Sequence, residues 1–344
     1  MPRKIIKELD PFFETIGLLS SCSRLDEIRE ETKKTLSEVG YDGEKFYEQH
    51  LNIFEIYIQT FIKNMAVTPE DLVFFNDNGD SNYFLILLSL LIVNKDLIPS
   101  IDKLDNKEIN SGILEIYEAL FEIPMKSIKL DSFDEIVQFI DSTTLSEQAK
   151  WKLMRLMQNP KQVLQKLVTV INNNLEAFKK ASNEISKPLS ALIEEYYRTI
   201  QDKSDKVFNK FENSLPKNSV IYPTIIFPLS QLIFEKSWYY GLLSKLVMKT
   251  AQSNQFSKES LLIKLKALSD KSKFEILASL KTNPKYNLEI AEQLGLTAAT
   301  MSHHMNVLLT CGFVGVEKRN GRVYYNLDKT AAKQFIEELE QLLL

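Results

Sequence analysis

Residues 287–327 read NLEIAEQLGLTAATMSHHMNVLLTCGFVGVEKRNGRVYYNL, and the fold turns on this stretch. It opens with a short helix pattern, Leu288 to Leu294, capped by Asn287 and turning Ile290, Ala291 and Leu294 inward. Gly295-Leu296-Thr297 makes a turn: glycine tolerates the backbone of a helix end, Leu296 plugs the core, and Thr297 caps the next helix. That second helix, Ala298 to Thr310, buries Met301, Met305, Leu308 and Leu309. Its other face shows Ala298, Ala299, Ser302, His303 and Asn306. These side chains are short at the N-terminal end, as a helix entering a major groove by that end requires. Two strand-like runs come after it, Val314 to Lys318 and Arg322 to Leu327, joined by Asn320-Gly321. That dipeptide signals a hairpin, because a type I′ turn needs positive φ at both central positions. Lys318, Arg319 and Arg322 cluster at its tip. A basic hairpin beside such a helix is a wing, placed to grip phosphates or probe the minor groove.

The flanks complete the unit. Upstream, Leu261, Leu262, Leu265 and Leu268 fall at helical spacing from about Lys258. Ser269 or Asp270 caps a second helix with apolar positions Phe274, Ile276, Leu277 and Leu280, and Asn283-Pro284 stops it. Downstream, Asp328 caps a last helix with Ala332, Phe335, Ile336, Leu339 and Leu342 on one stripe. That stripe has to be buried. A partner subunit is a natural place, since two-fold symmetry sets two groove-reading helices about one DNA turn apart.

In this arrangement Ala298, Ala299, Ser302, His303 and Asn306 are placed for base-edge readout, with Thr297, Thr300, Lys318, Arg319 and Arg322 on the DNA backbone. Together with LKALSDKSKFEILASL at 265–280, the stretch resembles the ArsR-type family of bacterial winged-helix repressors over some 85 residues. The resemblance implies a homodimer that binds a palindromic operator and releases it when a small-molecule or protein effector binds. The longer layout resembles ArsR-like regulators with a large, poorly characterised N-terminal domain. Departures from the family matter too. Its metal sensors carry Cys-x-Cys on the helix before the turn, where this chain has Leu288-Glu289-Ile290-Ala291. Others place Asp and His on the last helix, which here has no His. No metal or other cofactor is expected, and an effector is expected to act through the N-terminal body.

The rest of the chain reads as mainly α. Through the first 210 residues apolar positions recur at three and four, as in Leu51, Phe54, Ile58 and Phe61. Breaks fall at Asn76–Asp80, near Ser100–Asn110 and at Asn159-Pro160, and Pro188 ends or kinks a helix. Tyr83 to Val93 is the longest apolar run; a bilayer span needs about 20 residues, so it is expected as a buried core helix. Ser219 to Phe234 is dense in β-branched and aromatic residues and reads as one or two short strands, with Pro223 and Pro228 at edges or turns. Helix is expected again over Ser237 to Lys249, then a polar linker to Ser257. The division is therefore a helical sensing and dimerisation domain at 1–215, a β-containing segment and linker at 216–256, and a winged helix-turn-helix at 257–344.

Charge and composition agree with a regulator. Lys258 to Tyr325 holds eight Lys and two Arg against five Glu and one Asp, a net of +4; with the whole chain at -4, the remainder carries -8. The N-terminus lacks an apolar leader, and two cysteines cannot build a disulfide framework, so the expected location is the cytoplasm with no membrane contact. Adjacent His303 and His304 point about 100° apart on a helix and do not chelate one ion by themselves; His303 is expected at DNA and His304 packed. Cys311, Tyr196 and Tyr197 read as core, and the pairs Glu194-Glu195 and Glu337-Glu338 as solvated helix faces. No nucleophile elbow, phosphate loop or zinc spacing occurs, so catalysis has no positive support. Two other readings fit the same residues: a winged helix serving as a protein-binding module, and an N-terminal enzyme fused to a regulator.

Overall fold

The computed structural model describes residues 3–38, 41–76, 81–96, 98–121, 130, 132–202, 219–234, 236–247, 258–295, 301, 304–305, 307–309, 311–319 and 322–344. The fold is mainly α, with the chain in two compact units: residues 1–26 with 52–242, and residues 27–51 with 243–344. Two turns expected from the sequence, at 77–80 and at Asn320-Gly321, lie outside the described residues.

The first unit is built around α1 (Pro11–Ser21). Asp10 caps it, accepting hydrogen bonds from Phe12 N at 3.1 Å and Phe13 N at 3.5 Å. Pro11 follows at the first helical position, where its missing N–H is no loss. Phe13, Ile16, Leu18 and Leu19 are buried on all sides, against α4 (Asn52–Asn64), α6 (Ser81–Val93), α10 (Pro160–Asn173) and α11 (Leu175–Glu184). The apolar run at 83–93 is a core helix, as expected, and among the described residues no helix is long and apolar enough to cross a membrane. Asn174 stitches the α10–α11 junction to the end of α4: its amide oxygen accepts from Ala66 N at 2.8 Å, and its amide nitrogen donates to Val170 O at 2.9 Å. Around this layer lie α5 (Pro69–Leu72), α7 (Asn106–Phe121), α8 (Phe133–Ser142), α9 (Glu147–Gln158) and α12 (Ser186–Gln201). The helix breaks just before Pro188, as expected: α11 ends at Glu184, whose carbonyl Pro188 has no N–H to bond, and α12 opens at Ser186. Pro188 is the third residue of α12, in the first turn, where backbone N–H groups have no intrahelical acceptor.

A four-stranded sheet closes the unit, in the order β1 (Lys4–Ile5), β2 (Val220–Thr224), β4 (Ser237–Gly241), β3 (Gln231–Ile233). β1, β2 and β4 run parallel, and β3 is antiparallel to β4. Ser237–Gly241, where the sequence pattern predicts helix, is a strand. Its residues, SWYYG, are aromatic and favour the pleated surface, with Trp238, Tyr239 and Tyr240 all buried. Pro223 is accommodated inside β2 because β1 pairs only with Val220 and Ile221 and ends before reaching it. Tyr239 donates to Asp10 Oδ2 at 2.8 Å, and Lys95 Nζ lies 2.8 Å from the same carboxylate, so the cap of α1 is tied to the sheet. Tyr196, expected as core, is buried with its hydroxyl donating to Ile221 O at 3.1 Å; Tyr197 lies under the Lys7 ammonium, 3.8 Å from the ring centroid.

The second unit joins α2 (Leu25–Glu38) and α3 (Gly43–His50) to the C-terminal quarter of the chain. There lie α13 (Lys258–Leu268), α14 (Lys271–Leu280), α15 (Asn287–Leu294), the hairpin β5 (Val314–Arg319) and β6 (Arg322–Leu327), and α16 (Lys329–Leu343). Its core brings together Leu261, Ile276, Ile290, Met301, Leu308 and Phe335, with Tyr41 from the α2–α3 connection packed against the cluster. The Tyr41 hydroxyl donates to Val247 O at 2.8 Å.

Candidate nucleic-acid interface

The groove-reading half of this unit is assembled from local signals. Asp270, rather than Ser269, caps α14, accepting from Lys273 N at 2.9 Å. Burial pushes the Asp270 carboxyl up, but that hydrogen bond and the nearby charges of Lys273 and His304 outweigh it and hold it below the usual carboxylate range. Gly295 ends α15 at φ +64°, and Gly312 stands at φ +76° before the hairpin, both in the left-handed region that L side chains avoid. Between them Met301, His304, Met305 and Val307–Leu309 are helical. Met301, Met305 and Leu308 are buried, Leu309 half-buried, and His304 is packed at 9% exposure.

The hairpin is antiparallel in the register Val314↔Leu327 through Arg319↔Arg322. A third strand-like segment joins it: Lys285 and Tyr325 exchange both backbone hydrogen bonds, at 3.0 and 2.8 Å. This bridge holds the entry to α15 against the wing, and the rings of Tyr286 and Tyr324 meet edge-on across it at 6.1 Å. Sequence reasoning misses the bridge, because one residue pair carries no period. At the base, Asp328 N donates to Phe313 O at 2.8 Å and the Asp328 side chain caps α16 through Thr330 N and Ala331 N.

Of the residues assigned to DNA, Thr297, Ala298, Ala299, Thr300, Ser302, His303 and Asn306 lie outside the described residues. Lys318, Arg319 and Arg322 are placed by the backbone at the loop end of β5 and β6, with Arg319 directly opposite Arg322 in register. Among the described residues no group of three His, Cys, Asp or Glu is positioned to hold a metal ion. Burial pushes both thiols up to about 11, Cys22 near the end of α1 and Cys311 in the winged-helix core, and keeps them protonated at neutral pH. Lys264 and Lys273 pull Cys311 back only in part.

Some apolar positions face away from the core. Leu262 is 54% exposed and Phe274 60%, whereas Ile263 and Ala267 are buried in their stead. Among the described residues of α16 only Phe335 is fully buried; Ile336 is 63% exposed and Leu343 70%. α13 and α16 are locked to each other by Lys264 and Glu338, 3.1 Å apart with both side chains nearly buried, and Gln334 Nε2 donates to the other Glu338 oxygen at 3.0 Å.

Comparison with known proteins agrees with this geometry. The family model for bacterial regulatory proteins of the arsR family matches residues 270–316. The chain is 33% identical over 88 residues to the HTH-type transcriptional regulator CmtR of Mycobacterium tuberculosis and to that of Mycobacterium bovis. The aligned region is 25% of this chain and 75% of each relative. No solved structure matches at the same stringency.

Proposed function

The chain belongs to the arsR family of bacterial regulatory proteins, and on that premise we propose that it is a homodimeric, sequence-specific repressor released from its operator by an effector. A DNA-binding transcriptional regulator is the family's role; the dimer, the sign of regulation and the effector are our reading. The observation that carries it is the wing: a regular hairpin whose loop end bears Lys318, Arg319 and Arg322, set beside a helix-turn-helix core. Like charges at opposed register positions repel, and a DNA phosphate is a fitting counter-charge for Arg319 opposite Arg322. Ala298, Ala299, Ser302, His303 and Asn306 read base edges, and Thr297, Thr300 and the three wing cations hold the backbone.

The exposed apolar residues on α13 and α16, Leu262, Ile336 and Leu343, support a second copy as the partner. In the proposed division of labour the helical part at 1–215 senses and contributes to dimerisation, 216–256 links, and 257–344 binds DNA, in the cytoplasm and without catalytic chemistry. Selection of bound duplexes from a random pool by the purified full-length protein tests this. It should return an inverted repeat with half-sites centred about one helical turn, or a multiple of it, apart. Enrichment of a single half-site would refute the dimeric reading, and no enrichment would refute sequence specificity.

A further inference from the structure

In the first unit, α5 and the N-terminal half of α9 border a cavity of about 640 Å³, inside the range of small-molecule sites. Its apolar wall is formed by Pro69, Leu72, Val73 and Trp151. That is too little for a protein interface, which takes roughly 20–30 residues a side. Trp151 keeps 46% of its surface exposed although it belongs to a packed helix. The Arg155 guanidinium lies 4.8 Å from its ring centroid and 5.5 Å from that of buried Phe74, which steadies the indole while leaving nearly half of it open. The charges on the wall are already answered. The Lys152 ammonium is held by the carbonyl oxygen of Asn76 and stands 5.4 Å from the ring centroid of Tyr83. The Glu147 carboxylate, solvated at the rim, pairs with Lys150 at 3.4 Å. An ionic ligand would lose hydration here and meet only charges that are already engaged. A flat uncharged ligand gives up nothing but apolar contact with water.

We infer that this cavity binds a small, flat, uncharged aromatic molecule, its ring against Trp151 and the Leu72–Val73 wall. As the effector site it rests on the reading of the chain as an effector-controlled regulator; as a binding site it stands without that reading. The chain itself offers a connection. Ser23 lines the cavity, and two residues later Leu25 opens α2, most of which belongs to the unit that carries the winged helix.

The test uses the full-length protein without DNA, so its failure is separable from failure of operator binding. Calorimetric titration with 2-naphthalenemethanol is compared with the anion of the same ring system, 2-naphthoate. The alcohol should saturate below millimolar concentration and bind about tenfold tighter than the acid or more, since the carboxylate loses hydration without a free counter-charge. Trp151→Ala, at a half-exposed position that folding tolerates, should weaken the alcohol by about tenfold or more. Leu72→Gln, a polar group of similar size on the opposite wall, should weaken it by at least about threefold. Trp238 remains in both variants to report by fluorescence that the first unit is folded. No heat from the alcohol up to millimolar concentration, equal or tighter binding of the acid, or unchanged alcohol binding by Trp151→Ala would each overturn the proposal. So would self-association of the wild-type chain that Trp151→Ala abolishes, which would give the cavity to a second copy.

Discussion

Glu14 sits in the first turn of α1 with no exposure to solvent, and its replacement by Gln should remove a pH dependence from the first unit. Its Oε1 accepts from Thr224 Oγ1 at 2.6 Å and Ile225 N at 3.2 Å; its Oε2 accepts from Tyr57 OH at 3.0 Å and Ile226 N at 3.2 Å. Burial raises the carboxyl to about 7 against all four hydrogen bonds, which favour the charged form. An unfolded chain releases this proton near 4.5, so between pH 4.5 and 7 the folded chain holds a proton that the unfolded chain has lost. Stability is therefore highest below pH 4.5 as far as this group is concerned, falls as pH rises through 7, and is level above it. At about 1.4 kcal/mol per tenfold change in proton activity, the total is roughly 3 kcal/mol.

Glu14→Gln cannot ionise. It also turns an NH₂ toward one of the backbone donors, Ile225 N or Ile226 N, which costs roughly 1–3 kcal/mol at every pH. The chain's two tryptophans, Trp151 and Trp238, both lie in the first unit, so fluorescence-detected urea unfolding reports on that unit alone. The variant should be the less stable protein at pH 4.5, and the gap should close by roughly 3 kcal/mol by pH 8. A gap that stays constant with pH, or widens, would refute the reasoning.

Three further outcomes are expected. A Cβ on Gly241 would meet the carbonyl oxygens of Phe227, Ser230 and Pro228 at 2.5, 2.5 and 2.6 Å. Backbone atoms cannot swing aside, so Gly241→Ala should lower the urea midpoint of the first unit by an amount equivalent to roughly 1–3 kcal/mol. Lys264→Met leaves the Glu338 carboxylate nearly buried without its ammonium and should destabilise the second unit by roughly 3 kcal/mol, whereas Lys264→Met with Glu338→Leu recovers most of the loss. Amide hydrogen exchange across α13 and α16 measures both, and equal loss in single and double variants would count against the pairing argument. Arg322→Ala should weaken binding to operator and scrambled duplex alike and reduce the salt slope by about 1, as loss of one phosphate contact requires. A change in preferred sequence instead would reassign Arg322 to base readout.

The winged helix is legible because its signals are local. Asp270 and Asp328 cap the helices they precede, Gly295 and Gly312 mark positive φ, and the spacing of Met301, Met305 and Leu308 defines one buried face. The β4 strand is misread because SWYYG is compatible with an apolar helix until its partner is known. Its register with Val220–Thr224, and the pairing of Lys4 and Ile5 with β2 across some 215 residues, are settled by tertiary contact and leave no period in the sequence. The same holds for α2 and α3. Nothing in EKFYEQH announces that the preceding Tyr41 packs against a core built from residues 261–335. Spacing also overstates burial at helix edges: Leu262 and Phe274 fit the apolar stripes of α13 and α14, yet the core is filled by Ile263, Ala267, Ile276 and Leu280. The residues assigned to base readout rest on helical period and turn geometry, and DNA binding itself is their test.

The most direct measurement is equilibrium binding of the full-length protein to the duplex upstream of its own gene and to a scrambled duplex of equal length, across a salt series. The account predicts at least about a hundredfold preference for the upstream duplex, with affinity falling steeply as salt rises. Absence of binding to any duplex at low salt would contradict the central claim that the wing and the helix beside it form a DNA-binding surface.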